Sequence, residues 1–354
     1  MAELKKICFF TIALVKGGAE SQMIKLALFF KKKGYSIIII QALPQNDFID
    51  ILAENNIKTH LYKYNSFKGF SELFSFIKSE SPDLLISFMF GANLAARTVK
   101  WKFGIPLITS VRTSNISKLY ELLYRVSYKM DDYTVFNSPI VLEDFLRRRI
   151  SRSKTSIFIP NAVSLTKNEN QKSKPLIFTL ISIAHFRSAK DYITLFKAIK
   201  ILKEKGIQIK LLVLGKTFGQ IWPGQTVKNL EIENEIEFKG YVANPQSYMA
   251  TVDGLVLSSL WEGTPNAVLE AMANKLPVIA SNIPPCKDLI ENSGCGFLFN
   301  VKNPLDLSLK IEILMALSES EKQRLGQKGY QYVKEHYGEN KVYKQWESLI
   351  YKIL

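Results

Sequence analysis

Residues 254–280 read GLVLSSLWEGTPNAVLEAMANKLPVIA. Two apolar runs of strand length, Gly254–Leu257 and Pro277–Ala280, enclose a helix-length stretch near Asn266–Ala273. Pro265 fits the first turn of that helix, where its missing N–H would have had no partner. Strand, helix and strand joined by short turns is the signature of a parallel, doubly wound sheet. The turn itself holds Glu262-Gly263-Thr264-Pro265-Asn266-Ala267, and two carboxylates are thereby placed in different settings. Glu262 lies in the loop at the strand's end, where ligands of such sheets collect. Glu270 lies about one turn into the helix, where a carboxylate can accept two hydrogen bonds from a ribose diol. The N–H groups around Thr264–Ala267, at the positive end of the helix, suit phosphate or sugar hydroxyls. Ordinary acidic decoration of a helix start would give the same glutamates.

The alternation extends in both directions. Upstream, Ile7–Leu14 reads as a strand and Ala19–Lys33 as a helix closed by Gly34; Tyr35–Gln41, Leu84–Phe88, Leu107–Val111 and Tyr133–Phe136 read as further strands. Runs such as Ile37–Ile40 are continuous rather than alternating, which marks strands covered on both faces. Residues 164–175 are polar, with no large apolar side chain after Leu165, a linker composition. The pattern then restarts with Leu176–Ile183, helix Asp191–Glu204, and strands Ile209–Leu214 and Ile236–Phe238. The sequence therefore predicts an α/β chain of two doubly wound domains, residues 1–163 and 176–335, joined by the linker 164–175. Residues 336–354 form a closing helix with Tyr343, Trp346 and Ile350 on one face. A length of 354 residues agrees with about two domains. Two such sheets imply a ligand in a cleft between them.

Composition excludes several classes. At 47% hydrophobic and 22% charged, the chain is neither fibrous nor largely disordered. Three cysteines, Cys8, Cys286 and Cys295, build no disulfide framework and no Cys-x-x-Cys knuckle, and read as buried thiols. Lys5-Lys6 followed by Ile7–Val15 imitates a short signal peptide. The apolar run stops at Lys16, however, and Gly17-Gly18-Ala19-Glu20 is no cleavage site. No run is long enough to span a bilayer, so a cytoplasmic protein is expected. The formal charge is +15, and residues 1–160 hold 23 Lys/Arg against 13 Asp/Glu, net +10. Such a charge suits nucleic acid, anionic lipid or phosphorylated ligands. No recognition helix or base-stacking module is visible, which disfavours nucleic acid as a partner. No His, Cys or carboxylate cluster has metal-ligand spacing, and His60 and His336 stand alone.

Gly17-Gly18 falls between the first strand and the first helix, where paired glycines let a ligand approach the backbone. The spacing is neither that of a dinucleotide fingerprint nor that of a phosphate-binding P-loop, so a bare turn explains the pair equally well.

Residues 258–281, from Ser258 through Trp261-Glu262-Gly263-Thr264-Pro265-Asn266 to Ser281, resemble the signature of retaining nucleotide-sugar glycosyltransferases of family four, which have the GT-B fold. Gly17-Gly18-Ala19-Glu20 is similar to the family's glycine loop, and Ile159-Pro160-Asn161-Ala162-Val163 to its interdomain strand exit. Ile183-Ala184-His185-Phe186-Arg187-Ser188-Ala189-Lys190-Asp191 resembles its diphosphate-binding segment. Val213-Leu214-Gly215 and Phe238-Lys239-Gly240-Tyr241-Val242 resemble the strand ends flanking the base.

The resemblance implies two Rossmann-like domains with an interdomain cleft and transfer of a sugar from a nucleotide sugar, with a UDP-sugar as the prior. It implies that Glu270 binds the ribose and that Glu262 faces the transferred sugar with the Gly263–Ala267 backbone. Lys190, with Arg187, clamps the diphosphate and offsets the charge that develops on it, so no metal or other cofactor is required. Gly17, Gly18, His185, Gly215, Tyr241 and Val242 complete the donor contacts. His185 stands where the family often has Arg, with Arg187 as its substitute. The family's sugar-facing His is absent from Ser87-Phe88-Met89-Phe90-Gly91-Ala92-Asn93, and Arg112 and Asn115 are candidates to replace it. A surface cation accounts equally well for Arg112.

Basic and aromatic residues interleave in the first domain at Tyr62-Lys63-Tyr64, Phe67-Lys68 and Lys100-Trp101-Lys102. Within Leu119–Met130, helical spacing predicts Leu122, Leu123 and Val126 inward, with Arg125 and Lys129 outward. Such a surface suits anionic headgroups, and a core helix with a solvated face is the alternative. The expectation is a peripheral enzyme at the inner face of the membrane, acting on a saccharide or lipid-linked acceptor in surface-polysaccharide synthesis. A nucleotide-sugar epimerase of the same fold and a non-catalytic saccharide-binding protein are the alternatives.

Overall fold

In the computed structural model, residues 5–64, 66–165 and 176–354 are described. Most of the 164–175 linker expected from composition lies outside them. The chain divides into two compact units, Met1–Ala162 with Val342–Leu354, and Val163–Lys341.

The first unit is built on apolar runs that have no polar face to turn to water. Ile37 to Ile40 are all buried, as are Leu84 to Phe88 and Leu107 to Val111. In chain order it holds β1 (Lys6–Thr11), α1 (Gly18–Lys32), β2 (Ser36–Gln41), α2 (Ile49–Glu54), β3 (Lys58–Leu61), α3 (Phe67–Glu80), β4 (Leu84–Phe88), α4 (Phe90–Phe103), β5 (Leu107–Val111), α5 (Lys118–Ser127), β6 (Tyr133–Phe136), α6 (Pro139–Arg147) and β7 (Ser156–Phe158). The strands pair in parallel in the order β3-β2-β1-β4-β5-β6-β7.

The second unit contains β8 (Thr179–Ile183), α7 (Tyr192–Glu204), β9 (Lys210–Leu214), α8 (Trp222–Asn229), β10 (Ile236–Gly240), α9 (Gln246–Met249), β11 (Gly254–Leu257), α10 (Asn266–Ala273), β12 (Val278–Ser281), α11 (Pro284–Ser293), β13 (Gly296–Phe299), α12 (Pro304–Ala316) and α13 (Glu319–His336). Its parallel order is β10-β9-β8-β11-β12-β13. Both sheets are doubly wound, with strand order reversing between β1 and β4 in one and between β8 and β11 in the other. Loops leaving adjacent strands at such a point part to opposite faces, which opens a crevice at the strands' carboxyl ends.

Helix α14 (Glu339–Ile353) brings Val342, Tyr343, Trp346, Leu349 and Ile350 into the core of the first unit. Tyr343 stacks on Phe29 of α1 at 4.7 Å, and Trp346 on Phe88 at 6.3 Å. Cys8, Cys286 and Cys295 are buried free thiols, and burial pushes each well above the usual thiol range.

Two expectations are corrected. The first strand ends at Thr11, and Leu14 makes only an isolated bridge to Asn46. The expected inward face of residues 119–130 is in fact the outward one. Leu122, Leu123 and Val126 are exposed, and the helix is anchored by Tyr124 on its opposite side. The buried pair Arg97–Asp131 explains the reversal. The Arg97 guanidinium lies 4.1 Å from the Tyr124 ring centre, so the polar network beneath α5 claims its aromatic side.

Candidate functional site

The residues expected to carry chemistry in the second unit gather at its β8/β11 reversal. After β8 the chain makes a tight turn at Ser188–Lys190, and Asp191, with φ of 41°, caps α7. After β11 the chain runs beside this turn. Leu260 N–H donates to Ala189 O at 2.7 Å, and Ser258 Oγ donates to Lys190 O at 2.7 Å. Ser281, at the end of β12, donates to Ser259 O and fixes the loop from its other flank. These bonds bring the Lys190 ammonium into an ion pair with Glu262, whose Oε1 also accepts from Ser259 Oγ at 2.6 Å. Both charges are largely buried, with side-chain exposures of 22% for Lys190 and 12% for Glu262.

From Glu262 the chain descends through buried Gly263, half-buried Thr264 and buried Pro265 into α10. Pro265 O accepts from the N–H groups of Val268 and Leu269 at 3.0 and 3.2 Å. Asn266, Ala267 and Glu270 are half-buried, while Val268, Leu269, Ala271 and Met272 are buried in the core. The helix therefore turns an Asn266–Glu270 edge, one turn long, away from the core.

A second cluster forms at the exits of β8, β9 and β10. Gly215 is indispensable to it, because a Cβ there would lie 2.0 Å from Ala184 O. That close approach lets His185 Nδ1 accept from Lys216 N–H at 3.0 Å. Around the imidazole stand Phe218 at 5.4 Å and Tyr241 at 6.4 Å between ring centres. Lys216 Nζ lies 5.4 Å from the Tyr241 ring centre, and Val242 packs against the core. Arg187 is exposed, and its guanidinium lies 5.7 Å from the Phe218 ring centre rather than in the Lys190–Glu262 pair. The structure thus separates the two cations expected to act together. Phe218 and Lys216 were missed. Their signal was the Lys216-Thr217-Phe218-Gly219 turn after a strand end, where Phe218 and Gly219 both take positive φ.

In the first unit, Gly17 caps α1 and Gly18 begins it. The Glu20 side chain folds back toward Gly17, with Oε2 2.6 Å from where a Cβ would sit. At the end of β5, the Arg112 guanidinium donates to Asn161 Oδ1 and lies 4.6 Å from the Phe88 ring centre. Its buried Nε has no hydrogen-bond partner. Among the described residues no carboxylate pairs with it, and burial lowers its pKa to about 9. A desolvated cation of this kind is poised for an anion from outside the chain. Asn115 is exposed. His60 stacks on Phe76 and His336 against Tyr332, and no group of three potential metal ligands occurs among the described residues.

Residues 165–332 match the family described as glycosyl transferases group 1, and residues 16–167 match glycosyltransferase family 4. The chain belongs to these glycosyltransferases. A Haemophilus influenzae protein named only as an uncharacterized glycosyltransferase is 27% identical, covering 98% of this chain and all of that one. A Campylobacter jejuni transferase is 25% identical over 88% of this chain and 89% of its own. That relative is named as an alpha-1,4-N-acetyl-D-galactosaminyltransferase acting on a GalNAc-GalNAc-diNAcBac saccharide carried on undecaprenyl diphosphate. The Anabaena protein Alr3699/HepE, solved in complex with UDP and glucose, superposes with a TM-score of 0.84 at 17% identity, covering 98% of this chain and all of that one. The likeness shows the GT-B fold for this glycosyltransferase. No helix among the described residues is long and apolar enough to cross a membrane.

Proposed function

We propose that this glycosyltransferase moves a sugar, with retention at the anomeric carbon, from a UDP-sugar to a hydroxyl of a saccharide carried on a lipid diphosphate. The observation that carries the proposal is the Lys190–Glu262 pair at the β8/β11 reversal, with Glu270 one turn into the following helix. Glu270 holds the ribose diol. The His185, Phe218 and Tyr241 rings and the close-packed Gly215 exit flank the base, with Val242 behind them. Lys190 takes the diphosphate and Arg187 reaches it from the rim, so the reading invokes no metal cofactor. Glu262, with the backbone of Gly263 to Ala267, faces the transferred sugar. In the first unit, Arg112 supplies a cation for a ligand anion, and Gly17-Gly18 a backbone approach.

The bond between the anomeric carbon and the diphosphate oxygen breaks, and the acceptor oxygen bonds to that carbon on the same face. The acceptor proton passes to the departing phosphate, and no covalent enzyme carboxylate is assigned. Lys190 stabilises the leaving charge most as it develops, which lowers the barrier rather than merely tightening binding. The lipid-linked acceptor of the Campylobacter relative and the net +10 of residues 1–160 support a peripheral location at an anionic membrane surface, with nucleic acid no partner.

The test is a panel of nucleotide sugars assayed for hydrolysis and then for transfer to lipid-linked acceptors, with the product anomer read by NMR. The expected result is a retained anomer and, in Glu262→Ala, loss of turnover with donor binding no weaker than in the wild type. Conversion of the nucleotide sugar without any acceptor would establish an epimerase instead. Failure of every nucleotide sugar to bind below millimolar concentration would overturn the reading.

A further inference from the structure

Helix α5 carries an apolar stripe facing away from the unit it belongs to. Leu119, Leu122, Leu123 and Val126 are 66%, 59%, 38% and 75% exposed. They stand at i, i+3, i+4 and i+7, the spacing that puts four side chains on one face of a helix and ordinarily turns that face to a core. The orientation is fixed from the other side. Tyr124 is buried and its hydroxyl accepts from Asn93 Nδ2 at 2.5 Å, while Arg97 Nη1 donates to Ser127 Oγ at 2.9 Å. Rolling the helix inward would break this buried network, so the stripe is held outward.

The surroundings extend the face. The Tyr120 hydroxyl lies against Gly91, and its ring 6.2 Å from that of Phe90 at the start of α4. Tyr62 is buried close enough to Tyr120 and Tyr64 for their hydroxyls to act on its own. Tyr62 and Tyr64 therefore lie near α5; Tyr64 is 54% exposed, and Phe67, which begins α3, is 99% exposed. Lys63 and Lys68 border these rings, and Lys118 and Arg125 border the aliphatic stripe. Arg125 is held by Glu121, itself gripped by Arg148, so the cation is kept at the edge of the stripe.

We infer that the outer face of α5, with Tyr64 and Phe67, is the surface by which this protein inserts into an anionic lipid bilayer. The inference names the element behind the membrane location proposed above and rests on it. Aliphatic side chains flanked by cations, on a helix too short and too polar to span, have the chemistry of an interfacial segment. The positive balance of residues 1–160 gives the long-range complement to lipid phosphates. Only residues 113–117 separate α5 from Arg112, so headgroup-level phosphate and the desolvated guanidinium are served by one connection.

The experiment is flotation with vesicles of phosphatidylglycerol and phosphatidylethanolamine, and with vesicles of phosphatidylcholine alone. The wild-type protein is expected to float with the anionic vesicles, less so as salt rises. A variant carrying Leu119→Ser, Leu122→Ser and Val126→Ser is expected to bind them at least tenfold more weakly. Its melting temperature and UDP affinity should be unchanged, since these side chains are solvent-facing. In a separate variant, Leu122→Trp, fluorescence should shift to the blue on vesicle addition. Equal vesicle binding by wild type and triple variant overturns the inference, as does absence of binding to anionic vesicles. So does a change in association state with vesicle affinity intact, which would give the stripe to a second copy of the chain. UDP titration runs in parallel: a wild type that binds vesicles but no nucleotide refutes the transfer reading and leaves this one standing.

Discussion

Glu262→Gln offers a test in which the expected signs of binding and turnover are opposite. In the free protein Lys190 is tied to Glu262, and to take a diphosphate it must exchange a carboxylate for phosphate oxygens. Two unit charges about 4 Å apart attract by ~4 kcal/mol at an effective dielectric of about 20. Desolvation consumes most of that, and an exposed pair retains only ~0.2–1 kcal/mol. With side-chain exposures of 22% and 12%, this pair belongs above the exposed range, at about 1–1.5 kcal/mol. Glutamine keeps the bond from Ser259 Oγ and removes the charge, so the loop is preserved while Lys190 is released. UDP should then bind about five- to tenfold more tightly. On the proposed reading, turnover should fall by about 10²–10³, because the carboxylate assigned to face the transferred sugar is lost. Calorimetric titration with UDP and initial rates with the cognate donor measure the two arms. Unchanged or weaker UDP binding would refute the idea that the pair and the diphosphate compete for Lys190.

Three further outcomes are expected. Gly215→Ala should lower stability by about 2–4 kcal/mol in urea denaturation, because a Cβ would meet Ala184 O at 2.0 Å and both chains there are backbone. Trp346→Ala should cost about 3–5 kcal/mol in the same measurement, since the side chain fills the first unit's core against Phe88. Arg112→Met should stabilise the first unit by about 1–2 kcal/mol near neutral pH while weakening donor or acceptor binding at least tenfold. The sign follows from the lowered pKa. The folded state disfavours the protonated guanidinium, a penalty fully present below about 9 and relieved as pH rises through that value. The variant's thermal advantage should accordingly shrink between pH 7.5 and 10, and an advantage that grows would contradict the assignment.

The central strands were legible because burial on both faces leaves short runs of apolar and β-branched residues, broken only by small hydroxyl side chains. Leu84–Phe88, Leu107–Val111, Tyr133–Phe136 and Gly254–Leu257 have the bounds expected from sequence. The strands missed, β3, β7 and β13, all lie at sheet edges, where one neighbour is absent and residues such as Lys58 and Thr59 face water. Such segments are short, three or four residues each, and β3 also lacks the apolar signal on which pattern reading depends. In the second unit, the Glu262 to Glu270 stretch was legible as a loop and helix start. Its partner Ser259 and the approach of Arg187 to Phe218 were not, because a tertiary hydrogen bond decides the first and a cation–ring contact the second. The reversed face of α5 has the same cause. Periodicity shows that a helix has an apolar side, whereas the Arg97–Asp131–Tyr124 network decides which side the core receives.

Helix α14 has a consequence for synthesis on the ribosome. Residues Met1–Ala162 emerge first, yet the apolar side of α1 that holds Phe29 and Phe30 waits for Tyr343, Trp346 and Ile350. Between them lies the whole of Val163–Lys341, whose core draws on its own residues alone. The later-made half can therefore reach its native state first, while the earlier half stays incomplete and exposes a sticky face. A stalled or truncated chain ending before Val342 would contain one finished lobe and one open lobe, a natural client for chaperones and proteases.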